Sequence, residues 1–118
     1  MKKNTGLMRL IYATQYSWQG FKSAIVHEAA FRQEFIGLVL LGTFTFFLDI
    51  TAYEQVAMLI SLLFILIVEI INSAIECVVD RISDERHTLS GRAKDYGSLA
   101  VFMALLIAIL IWSAILMG

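Results

Sequence analysis

Five polar residues interrupt an otherwise apolar stretch: Glu69, Asn72, Ser73, Glu76 and Asp80. On a helix at 100° per residue they all fall within about 60° of Glu69, so they share one face. Three are carboxylates. An acidic side chain well inside a membrane costs roughly 2.5–3.5 kcal/mol on insertion scales. A helix that serves only as an anchor has no reason to carry three of them along one stripe. The stripe must face a wet cleft, a cation or a basic partner. Asn72 and Ser73 alone could instead be polar glue between helices.

Chemistry divides these acids by depth. Glu76 and Asp80 adjoin a segment, residues 80–95, in which eight of sixteen residues are charged. Carboxylate oxygens of this kind suit Mg²⁺, which takes one or two carboxylates together with phosphate oxygens and water. Glu69 lies about two turns deeper, a position suited to a general base shielded from water. Arg86, Arg92 and Lys94 are candidates to hold anionic phosphates, and Asp95 could orient Lys94. For Arg81, Asp84 and Arg92 a solvated charged loop is the simpler reading. Acids near a membrane surface, cations beside them and a buried base form a phosphoryl-transfer arrangement.

The elements that position these residues are apolar runs. Residues 35–48 carry no charge, nor do residues 55–68, nor the 23 residues from 96 to 118. Only the last alone reaches the roughly 20 residues that cross a bilayer. The second reaches that length if its helix continues through Glu69 to Ile75, which places Glu69 inside the membrane. The first extends back toward Ala29, with Arg32 and Glu34 near its end. None alternates with the dyad period of a membrane strand. In residues 6–27, Leu7, Leu10, Ile11, Trp18, Phe21 and Ile25 gather on one side of a helix. Arg9, Tyr12, Gln15, Tyr16, Gln19 and Ser23 gather on the other, a pattern of an amphipathic helix on a membrane surface, with Trp18 at the interface. The expected fold is all-α: a surface helix at about 6–27, then membrane helices at about 29–48, 54–82 and 91–117, in a single domain over residues 1–118. Ser90-Gly91 supplies a turn or helix start before the third span.

Composition agrees. The chain has 118 residues, 59% hydrophobic and 16% charged, against about 25% charged in a soluble domain. Mean hydropathy is +0.79. A net charge of −1 argues against a nucleic-acid binder. One cysteine, Cys77, excludes an internal disulfide or a paired-cysteine metal site. All nine basic residues fall on one side of a three-span arrangement, which the positive-inside rule makes cytoplasmic, N-terminus included. No glycine-rich phosphate loop, dinucleotide fingerprint or protein-kinase signature is present, so a kinase here needs another architecture.

The run from Glu69 to Asp80 (EIINSAIECVVD) resembles the ExxNxxxExxxD motif of the small prokaryotic integral-membrane diacylglycerol kinases. Glu28-Ala29-Ala30-Phe31-Arg32-Gln33-Glu34 and Ser90-Gly91-Arg92-Ala93-Lys94-Asp95 resemble two further blocks of that family, and Gly6, Arg9, Tyr16-Ser17-Trp18 and Gly20 fit its N-terminal helix. The resemblance covers nearly the whole chain. It implies a homotrimer of three-span protomers in the bacterial inner membrane, with active sites shared at the cytoplasmic surface. It implies transfer of phosphate from Mg-ATP to 1,2-diacylglycerol, with Glu69 as base, Asn72 supporting it and Lys94 neutralising phosphate charge. Glu28 and Glu76 would hold Mg²⁺. Arg9, Tyr16, Glu85, Arg86, His87, Lys94 and Asp95 would line the nucleotide site. Lipid would meet Arg9, Ser17, Trp18, Ala30, Arg32, Gln33, Glu34, Asp49, Glu69, Ser98 and Trp112. Cys77 and Leu99 depart from the alanine common at those positions.

Two other readings compete. An undecaprenol kinase shares these motifs and mechanism. A small proton-coupled exporter could use Glu69 as its proton carrier, but has no need of the stripe down to Asp80 or of the Lys94-Asp95 pair. Independently of the resemblance, three thin helices do not enclose a wet acidic cleft, which points to an oligomer. Ala100, Ala104 and Ala108 form a small-residue stripe expected to pack on another helix.

Overall fold

Four helices account for nearly all of the chain in the computed structural model, which describes residues 5–82 and 87–118. They are α1 (Gly6–His27), α2 (Ala29–Phe44), α3 (Ala52–Ile82) and α4 (Thr88–Met117), with one 3₁₀ turn at Thr45–Phe47. Three segments are long and apolar enough to cross a membrane: Ala29–Phe47, Ala52–Ile82 and Thr88–Met117, with mean hydropathies of 1.2, 2.5 and 2.9. Side chains such as Phe102, Leu106 and Leu110 remain exposed on the outer faces. That surface suits lipid tails or a second copy, and water poorly. The chain is an all-helical membrane protein.

Each connection has a local cause. Between α1 and α2 the backbone of Glu28 turns extended, at φ −110° and ψ 95°. Hydrogen bonding continues on both sides, from Glu28 N–H to Ala24 O and from Arg32 N–H to Glu28 O, each 3.0 Å. Arg32 also donates from Nη1 to Ile25 O at 2.7 Å. Its guanidinium thus satisfies a carbonyl at the end of α1 that the helix leaves open. Phe21 of α1 packs edge-on against Phe31 and Phe35 of α2, and stacks with Trp18. The bend is therefore fixed by an aromatic cluster as well as by the backbone.

The α2–α3 turn is held by side-chain hydrogen bonds. Thr51 and Glu54 form a reciprocal capping box: Glu54 N–H donates to Thr51 Oγ1 at 3.1 Å, and Thr51 N–H donates to Glu54 Oε1 at 2.9 Å. Thr45, 1% exposed, donates its hydroxyl to Gly42 O at 2.6 Å and accepts from Gln55 Nε2 at 3.3 Å. This pairing ties the end of α2 to the start of α3.

α3 and α4 form the main antiparallel hairpin. Leu62 and Ile65 of α3 pack on Ala104 and Ala108 of α4, and the small alanines let the two backbones approach. Two members of the expected small-residue stripe therefore face α3. Ala100 sits at the rim of a cleft instead, beside Asn72 and Gly97. Gly97 is the buried residue one heptad before Ala104. Farther along, Trp112 Nε1 donates to Ser61 Oγ at 3.0 Å, and Ser61 donates to Met58 O at 2.6 Å. Ser61→Ala should lower the unfolding free energy in detergent micelles by about 1 kcal/mol, because it leaves the indole N–H underpaired between apolar helices. Denaturant titration of the two proteins checks this.

α4 begins at Thr88, ahead of the start near 91 that Ser90-Gly91 suggests. The reason is His87, whose Nδ1 accepts from Leu89 N–H at 3.0 Å and caps the helix. α3 has 31 residues and is about 46 Å long, against roughly 30 Å of hydrocarbon. Its polar end therefore extends beyond the apolar layer when its middle is centred in it.

Candidate functional site

The acidic stripe of α3 does not look in one direction. Glu69, 9% exposed, turns toward α2. There its carboxyl comes close to that of Glu34. Glu34 Oε2 is buried with no hydrogen-bond partner. Asn72, one turn along, turns toward α4. Its Nδ2 donates to Glu76 Oε1 at 3.3 Å, and its Oδ1 is buried. One further turn along, Asp80 pairs with Lys94 of α4 at 2.8 Å. The order along the hairpin is thus a buried carboxyl pair, then an amide-held carboxylate, then an exposed ion pair.

An apolar groove of 580 Å³ runs between α1, α2 and α3. Its lining includes Ser17 and Phe21 of α1, Phe35 of α2, and Leu66, Ile67 and Ile70 of α3. Leu66, Ile67 and Ile70 bracket Glu69 in sequence, and Phe35 adjoins Glu34. A hydrocarbon chain fits such a lining.

Glu28 occupies the N-cap of α2, yet its side chain makes no capping hydrogen bond. Its carboxylate is left for other use at the α1–α2 bend. Among the described residues, no group of three His, Cys, Asp or Glu side chains is placed to hold a metal ion. Mg²⁺ usually takes one or two carboxylates together with phosphate oxygens and water, not a closed protein cage.

Comparison with known proteins decides the family. The profile described as prokaryotic diacylglycerol kinase matches residues 15–116. The chain belongs to the prokaryotic diacylglycerol kinase family. A diacylglycerol kinase of Haemophilus influenzae is 52% identical over 116 residues, covering 98% of each chain. One of Pseudomonas aeruginosa is 49% identical over 117 residues, covering 99% of this chain and 95% of its own. One of Escherichia coli K12 is 48% identical over 112 residues, covering 95% and 92%.

The remaining positions that the family resemblance singles out are dispersed. Arg9, Tyr16, Ser17 and Trp18 are exposed along α1, with the Lys22 ammonium 5.8 Å over the Trp18 ring. Ala30 and Gln33 are exposed on the first turns of α2, and Arg32 caps α1. Asp95 and Ser98 are exposed on α4, in the same turns as Lys94. Asp49 lies in the α2–α3 turn, at the far end from the charged segment. Trp112 is 18 residues from Lys94, about 27 Å along α4, and its indole N–H is engaged by α3. His87 is occupied through Nδ1 as the α4 cap. Glu85 and Arg86 lie outside the described residues.

Sequence reading missed two partnerships, Glu34 with Glu69 and Gly97 with Asn72. The first had a signal. Glu34 and Glu69 stand 17 and 18 residues from Thr51, so an antiparallel hairpin turning there brings them level. The second had only the heptad spacing from Gly97 to Ala104.

Proposed function

We propose that this protein phosphorylates 1,2-diacylglycerol with ATP at the cytoplasmic face of the bacterial inner membrane, with its N-terminus inside. Residues 1–118 act as one integral-membrane kinase domain, and α1 lies on the membrane surface. The observation that carries this reading is the order along α3: Glu69 close to Glu34 of α2, in the stretch whose Leu66, Ile67 and Ile70 line an apolar groove, then Glu76 and Asp80 with Lys94 of α4 toward the charged end. A lipid alcohol approaches from the bilayer, and a nucleotide approaches from water.

In this reading Glu69 accepts the proton of the lipid hydroxyl. The hydroxyl oxygen bonds to the γ-phosphorus, the bond from that phosphorus to the β–γ bridging oxygen breaks, and ADP leaves. Lys94 stabilises the charge that builds on the transferred group. Asn72 holds Glu76 in orientation. Bound Mg²⁺, held by Glu28 and Glu76, supplies charge neutralisation for the nucleotide phosphates. Arg9, Tyr16, His87 and Asp95, with Glu85 and Arg86, line the nucleotide side. Ser17, Trp18, Ala30, Arg32, Gln33, Glu34 and Ser98 line the lipid side. Asp49 and Trp112 belong to the lipid side. A homotrimer completes the site, because a single protomer leaves much of the stripe open.

The test is phosphate transfer from ATP in mixed micelles, comparing diacylglycerol with undecaprenol. Mg²⁺-dependent transfer to diacylglycerol, lost on chelation and restored by added Mg²⁺, is the expected result. Preference for undecaprenol would keep the mechanism and change the substrate. Transfer to neither lipid by folded protein would overturn the proposal.

A further inference from the structure

The seam between α3 and α4 contains a contact that neither the family resemblance nor the acidic stripe brings out. Gly97 is buried in α4. A Cβ at this position would run into Asn72 Oδ1 and lie 3.1 Å from Asn72 Cγ. The asparagine amide thus occupies the space that any other residue at 97 would fill with its own side chain. The direction of the amide is dictated by Glu76. A carboxylate oxygen only accepts, so Nδ2 must face Glu76 Oε1, where it donates at 3.3 Å. Oδ1 is then driven against α4, where it is buried without a hydrogen-bond partner. A buried carbonyl gains nothing from that place and would turn outward if it were free to move. Packing against the bare backbone of Gly97 keeps it there.

We propose that Gly97 is a positioning residue for catalysis. The missing side chain gives Asn72 the only berth from which it can hold Glu76, and Gly97 thereby sets the orientation of that carboxylate toward the metal–nucleotide side of the site. This rests on the kinase reading above. An added methyl at 97 pushes the amide off α4 and withdraws Nδ2 from Glu76, while leaving the groove and the Glu34–Glu69 pair untouched.

Two readouts test it. The chain has two asparagines, Asn4 and Asn72, so selective ¹⁵N-asparagine labelling gives two side-chain amide pairs. In Gly97→Ala the Asn72 pair should shift while the Asn4 pair stays in place. Kinetically, kcat should fall about tenfold, the Mg²⁺ concentration for half-maximal activity should rise several-fold, and KM for diacylglycerol should hold, as expected for a group that acts only on the reacting state. Gly37→Ala, whose Cβ would meet nothing within 4 Å, is the control and should leave both readouts unchanged. An unshifted Asn72 pair, or an unchanged Mg²⁺ requirement in an active enzyme, overturns the proposal. The amide shift needs no kinase activity, so failure of the kinase reading is seen separately, as absence of transfer in the native protein. If Gly97→Ala does not fold, Gly97→Ala combined with Asn72→Ser decides the matter. Recovery of folding assigns the clash to this pair, and continued failure refutes it.

Discussion

Glu69→Gln is expected to lower kcat by about 10²–10⁴-fold, the usual contribution of a positioned general base. The substitution keeps the volume and removes the proton acceptor. Glu69 is almost fully buried between α2 and α3, and its carboxyl meets that of Glu34. Glutamine can still donate to Glu34, so the helix interface should persist and the variant should fold. In the proposed arrangement nucleotide sits at the other end of the stripe, so KM for ATP should change little. Steady-state kinetics in mixed micelles, with a melting curve as the control for folding, give the answer. A variant that kept more than a tenth of native kcat would remove Glu69 from the chemistry and turn attention to Glu34.

Lys94→Met is the second large expectation. It should lower kcat by about 10²–10³-fold, comparable with removing one preorganised group that stabilises charge in a transition state. Methionine keeps the stem on α4 and deletes the ammonium. Asp80→Asn provides the contrast. The Asp80–Lys94 pair is 2.8 Å long, but the two side chains are 64% and 46% exposed, so water already solvates both. Loss of Asp80 leaves Lys94 charged and free to turn toward phosphate, and its effect should be far smaller than that of Lys94→Met. Equal losses in the two variants would show that the ion pair, and not the lysine charge at the phosphate, is what activity needs.

The helices were legible because charge and apolar runs alternate so cleanly. Glu69 demanded a functional explanation as soon as its helix was extended to membrane length. The division of the stripe was less legible. A helical wheel puts Glu69 and Asn72 on one face, yet about 60° separates them, enough for one to address α2 and the other α4. Which neighbour a polar face meets depends on how helices pack, and a wheel contains no neighbours. Gly97 was missed for the same reason, since a glycine matters through what fills the space it leaves. Ala104 and Ala108 could be foreseen at a helix contact, because small residues at that spacing have little other use in a membrane. Asp49 and Trp112 entered only through family resemblance.

The capped turn between α2 and α3 bears on how the chain enters its membrane. α2 has the lowest mean hydropathy of the three spans, 1.2 against 2.5 for α3, and carries Arg32 and Glu34. Released alone beside a bilayer, it would be a poor candidate for partitioning. With only residues 45–51 between them, and the Thr45–Gln55 and Thr51–Glu54 bonds closing the bend, α2 and α3 are delivered as a helical hairpin whose insertion is governed by their summed hydrophobicity. The strongly apolar α3 carries its weaker neighbour across, and α2 is thereby free to bring a carboxylate into the bilayer.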